Sequence, residues 1–181
     1  MKESRIPLRL ATTVILLAGL GPISAFGQFA ATGTTNLSVT IGPEAAIQIN
    51  TATTALTSAG PFTNYTGTTS LTYKIRTTQT GGTGSIVLEI TTDFAAGGPS
   101  VAAPPAGDAL TYTCTVAAPG TACSGSVTPL TTATTSVATF GANASSAKAG
   151  NAGSVAWDLP DDPAYKTGSY TAVATFTISA A

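Results

Sequence analysis

Polar and apolar residues alternate most regularly near the end of the chain. Tyr170, Ala172, Ala174, Phe176 and Ile178 form one set, and Ser169, Thr171, Thr175, Thr177 and Ser179 the other. Val173 is the single departure. A period of two held this long belongs to a strand with one buried face, and a helix cannot produce it. Gly168 opens the run. A strand placed last is expected either to be paired in a sheet or to offer its edge to a partner.

Shorter runs repeat the pattern upstream. Leu37, Val39 and Ile41 alternate with polar residues, Gly42 and Pro43 interrupt, and Ala45, Ile47 and Ile49 resume. This predicts one first strand kinked at Gly42 and Pro43, serving both sheets of a sandwich. Leu71, Tyr73 and Ile75 are followed by a Gly-rich link at 80–84 and then by Ile86, Leu88 and Ile90, which reads as a hairpin. Residues 95–108 are rich in Gly, Pro and Ala and read as a long loop. Beyond it, Leu110, Tyr112 and Cys114 share a face, 137–140 is a weaker strand, and 142–153 is a small-residue loop. Val155, Trp157 and Leu159 then alternate up to Pro160.

Outside the N-terminal region no run of ten or more residues has a 3.6-residue period, so helix is expected to be minor. Seven to nine short strands separated by turns predict an all-β fold, an Ig-like Greek-key β-sandwich. Its expected core combines Leu37, Val39, Ile47, Leu71, Tyr73, Ile75, Ile86, Leu88, Ile90, Tyr112, Trp157, Phe176 and Ile178. Trp157, the only Trp, is placed in that core rather than on a sugar-binding surface.

The first residues change the picture of where the chain works. Lys2, Arg5 and Arg9 precede an apolar stretch at 10–20, and Ala25-Phe26-Gly27 fits a small-x-small cleavage site. Residues 1–27 therefore read as a signal peptide, leaving 28–181 as one secreted domain. The apolar stretch is shorter than the roughly 20 residues a membrane span requires, and no other stretch approaches one. Past the leader, seven carboxylates face four dispersed cations, which gives no electrostatic footprint for nucleic acid. Thr supplies much of the polar surface instead and suits a pleated sheet.

In an exporting compartment Cys114 and Cys123, with Pro119 and Gly120 between them, are expected to form a structural disulfide. A redox role would need a cation or helix N-terminus beside one thiol, and neither is visible.

Catalytic chemistry finds little support. The chain has no His, which removes Ser-His-Asp and Cys-His arrangements and imidazole metal sites. No nucleophile elbow or phosphate-cradling Gly-Lys-Thr sequence occurs. Glu89 and Asp93 are the nearest strand-borne acid pair and read as a solvated face. Asp158, Asp161 and Asp162 cluster around Leu159 and Pro160; they are weak metal candidates, better explained as an Asp-supported turn. No cofactor is expected. Asn36, Asn64 and Asn143 match the glycosylation pattern, which carries little weight in a chain this rich in Ser and Thr.

The closing strand resembles that of secreted bacterial β-sandwiches of the spore coat protein U and fimbrial-subunit type. Gly168 is fourteenth from the end, as in chaperone–usher pilins, and Ala172, Ala174, Phe176 and Ile178 alternate as in those chains. Ala180 replaces their penultimate aromatic residue, a departure at the position a chaperone would read. The resemblance covers about fourteen residues. It implies a non-enzymatic, self-assembling subunit of a surface fibre or coat, with its own copies or related subunits as partners. Subunits would donate an extended segment to a neighbour's sheet. The candidate donor is 28–41, with Phe29, Leu37, Val39 and Ile41 as anchors, unless 37–41 is the domain's own first strand. The alternative is a carbohydrate- or polymer-binding module using Phe62, Tyr65 and Tyr165.

Overall fold

The computed structural model describes residues 32–181. The expected leader and Phe29 lie outside the described residues. The chain divides into two units, Met1–Val39 and Thr40–Ala181, and every strand described below belongs to the second.

That unit is a nine-stranded antiparallel β-sandwich with no helix among the described residues. The first sheet has the order β1 (Glu44–Ile49), β3 (Tyr65–Arg76), β8 (Asn151–Leu159) and β5 (Thr111–Val116), with the two-residue β2 (Thr57–Ser58) also on β3. The second has the order β6 (Thr121–Ala122), β7 (Thr135–Phe140), β4 (Gly84–Thr92) and β9 (Val173–Ala180).

Period-two patterning places one row of each central strand between the sheets. Leu71, Tyr73 and Ile75 of β3 are buried, as are Ile86, Leu88 and Ile90 of β4 and Val155, Trp157 and Leu159 of β8. Tyr112, Val137 and Phe140 complete the layer. Full burial of each aliphatic side chain of this kind contributes about 1.5–3 kcal/mol. The polar tips of the aromatic residues are satisfied. The Tyr73 hydroxyl donates to the Ala117 carbonyl, and Tyr112 donates to the Ser136 carbonyl at 2.9 Å. Trp157 Nε1 donates to the Thr69 hydroxyl at 2.9 Å, and Thr69 shares a 2.6 Å bond with Thr54.

Four sequence expectations are corrected. The runs in β3 and β4 do not form a hairpin, because they lie in different sheets and the link at 77–83 crosses the sandwich. Both strands carry a continuous apolar inner row, and facing each other across the core buries both. Gly81 turns the link at φ 69°, and a Cβ on Gly82 would run into the Thr78 carbonyl oxygen.

The kinked first strand is also absent. Residues 32–43 carry no strand, β1 starts at Glu44, and Leu37, Val39 and Ile41 are exposed rather than in the core. Alternation permits pairing but provides no partner edge, and β1 already takes the edge of β3 from Arg76 to Leu71.

The last strand starts later than the pattern suggests. Its partner β4 ends at Thr92, paired with Val173, so Gly168, Tyr170 and Ala172 precede β9. Tyr170 instead donates to the Lys166 and Gly97 carbonyls at 2.8 and 3.1 Å. Finally, the reading of 142–153 as a loop ends too late, because β8 begins at Asn151.

Candidate functional site

The two lateral edges of the sandwich are finished differently. At one, β5 and β6 are joined by the disulfide between Cys114 and Cys123, with Cα atoms 5.5 Å apart. The outer side of β5 is further covered by Val127, which exchanges two 2.8 Å backbone bonds with Tyr112. Closure there is covalent and hydrogen-bonded.

At the other edge stand β1 and β9, each paired on one side only among the described residues. Glu44 lies opposite Arg76 and Ala180 opposite Gly84, both beside the 77–83 crossover, so the two strands run antiparallel to each other. Their Cα atoms come within 8 Å, closer than the roughly 10 Å between packed sheets.

The seam between them is apolar and incompletely covered. Ala45 and Ile47 of β1 pack on the core while only half-buried, as do Ala172, Ala174, Phe176, Ile178 and Ala180. Equivalent inner positions of β3, β4 and β8 are buried. Solvent therefore reaches one side of a row whose other side is core. Among the described residues β9, eight residues long, pairs only with β4 and so forms a sheet edge.

The sequence-predicted donor positions that are described, Leu37, Val39 and Ile41, are 94%, 82% and 64% exposed. They keep the spacing of a strand face but have no strand of their own.

Acidic residues occupy structural positions. Asp93 organises the loop after β4: its carboxylate accepts from the Phe94, Val101 and Ala102 N–H groups at 2.8–2.9 Å and from Ser100 at 3.1 Å. Burial pushes its pKa up, but these donors outweigh it and hold the carboxyl below its ordinary range. Asp158 accepts from the Asn64 side chain at 2.6 Å, and Asp162 accepts from the Ala164 N–H at 2.8 Å in a local turn. Partial burial, then the neighbouring Asp162 carboxylate, pushes the Asp108 carboxyl up. Tyr165 sits beside Asp108, Asp161 and Asp162; burial and then these charges raise its pKa, and its hydroxyl is buried without a hydrogen-bond partner. Among the described residues, no three acids or cysteines converge as metal ligands. Glu89 points outward from β4, apart from the Asp93 loop.

The aromatic residues named for a sugar platform differ in exposure. Phe62 is 68% exposed, whereas Tyr65 packs on the core and Tyr165 is half-buried. No helix among the described residues is long and apolar enough to cross a membrane. Comparison with protein-family models, curated proteins and solved structures finds no match for this chain.

Proposed function

We propose that this chain is a secreted structural subunit that associates with further copies of itself by strand addition along β9. The observation that carries the reading is the pairing of a free apolar edge with an unpaired apolar strand pattern in one chain. Main-chain bonds to β9 would supply affinity, and alternate side chains would cover the half-buried row.

The dimensions agree. Leu37, Val39 and Ile41 recur every second residue, as do Ala174, Phe176 and Ile178, so both sets repeat at about 6.6 Å in extended chain. Residues 28–41 are long enough to line the whole of β9. Entry of the same copy's segment into its own seam would need a reversal at Gly42 and Pro43. A segment from a second copy needs none, and chains joined this way form an open series or a ring.

The test is a variant lacking 28–35 with Leu37→Asp and Val39→Asp, compared with the chain starting at Gln28 by size-exclusion chromatography with light scattering. The unaltered chain is expected to form concentration-dependent multimers and the variant folded monomers, because charges cannot enter the apolar row. A monomeric unaltered chain at every concentration would refute assembly. An unfolded variant would assign 37–41 to the domain's own core.

A further inference from the structure

Side-chain charge is separated along the strand axis. At the end of the sandwich beside the 77–83 crossover, Lys74, Arg76 and Lys148 line a shallow open cleft of about 340 Å³ together with Ser145 and Ser146. Among the described residues lining the cleft the one carboxylate, Glu44, is held by Arg76 at 2.9 Å, and neither lysine is in an ion pair. These are three of the four cations among the described residues.

The opposite end carries the acids. Asp158 pairs in register with Thr66 and Thr111, at the starts of β3 and β5. Asp161 and Asp162 follow β8, Asp108 lies against Asp162, and Asp93 follows β4. Lys166 is the one cation on that side, where its N–H donates to the Gly97 carbonyl at 2.9 Å. From Thr66 to Arg76 the two ends are roughly 33 Å apart along β3 at about 3.3 Å per residue.

We propose that the lysine cleft binds the acidic end of a second copy of this chain, giving a head-to-tail contact between domains. The chain's own charge distribution selects that occupant: the two clusters are opposite in sign, at opposite ends, and too far apart to meet within one copy. A contact between two different patches of identical chains does not close on itself by a two-fold axis, so it propagates into a polar series or closes into a ring. Asp108 lies against Asp162, so in the isolated copy two like charges face each other. A lysine pair from a neighbour relieves that repulsion and steers the ends together. The proposal rests on the reading of the chain as an assembling subunit, and adds how successive domains orient.

Zero-length carbodiimide cross-linking of the chain starting at Gln28 tests it, because no such bond can join the two ends of one copy. Cross-links from Lys74 or Lys148 to Asp108, Asp161 or Asp162 are expected at low ionic strength and should fade several-fold in about 0.5 M salt, where the Debye length falls to a few ångströms. Lys74→Glu with Lys148→Glu, and Asp108→Lys with Asp161→Lys, should each abolish them. An equimolar mixture of the two variants should restore a cross-link with amine and carboxylate exchanged. Absence of these cross-links, their persistence in either variant alone, or occupation of the cleft by an acidic polysaccharide such as alginate in preference to a second copy overturns the proposal. If Leu37→Asp and Val39→Asp abolish multimers while the end-to-end cross-link never forms, this contact is refuted and strand addition stands. If the cross-link forms and those substitutions change nothing, strand addition is refuted and this contact stands.

Discussion

Cys114 and Cys123 tie the two sheets together at the edge opposite the β1–β9 seam, with their Cα atoms 5.5 Å apart. One side of the sandwich is thus held shut, while at the other β1 and β9 are each paired on one side only among the described residues. Removing the tie with Cys114→Ala and Cys123→Ala should cost about 2–4 kcal/mol in urea unfolding, as a short closed loop predicts. Reduction of the intact protein should raise its mass by two hydrogens. Native-like stability of the double variant would show that packing alone closes that edge.

Trp157 contributes packing and a hydrogen bond. Its ring lies 5.5 Å from that of Tyr112, and its N–H reaches Thr69. Trp157→Ala should cost about 3–5 kcal/mol in thermal or urea unfolding. Trp157→Phe should cost clearly less, because Thr69 keeps its bond to Thr54. A Trp157→Ala variant with an unchanged melting temperature would place the ring outside the core's energetics.

Asp93 makes the loop after β4 acid-sensitive. Its folded pKa is lowered, so its contribution is present above the unfolded value of about 3.9 and is lost as pH falls through the folded value. Asp93→Asn should therefore melt below the unaltered protein at pH 7, and the gap should narrow as both are acidified below about pH 3. A gap independent of pH would show that the carboxylate charge is not what orders the loop.

A peptide spanning residues 34–43 supplied in trans should stabilise a chain truncated before Gly42. Ligand at about 100 times its Kd adds about 2.7 kcal/mol. Amide exchange should slow in β9 and remain unchanged in β5, whose outer side is already covered. The same peptide with Leu37→Asp and Val39→Asp should do neither. Equal effects of the two peptides would remove the apolar row from the explanation.

The sequence by itself determined the class of fold and most of its core. Leu71, Tyr73, Ile75, Ile86, Leu88, Ile90, Tyr112 and Trp157 are buried where their alternation put them, because a period of two assigns a face whichever neighbour the strand pairs with. The spacing of Cys114 and Cys123 likewise made the disulfide legible. Pairing was not legible. The Gly-rich link at 80–84 suits a hairpin as well as a crossover, and only the mutual burial of the β3 and β4 inner rows decides for the crossover. Leu37, Val39 and Ile41 have the same local pattern as β1, yet β1 alone holds the edge of β3. The end of β4 at Thr92 decides where β9 begins, and the alternation through Tyr170 and Ala172 carries no trace of it. The open seam and the separation of charge to opposite ends arise from residues far apart in the chain. Strand order brings them together, and local periodicity contains no information about strand order.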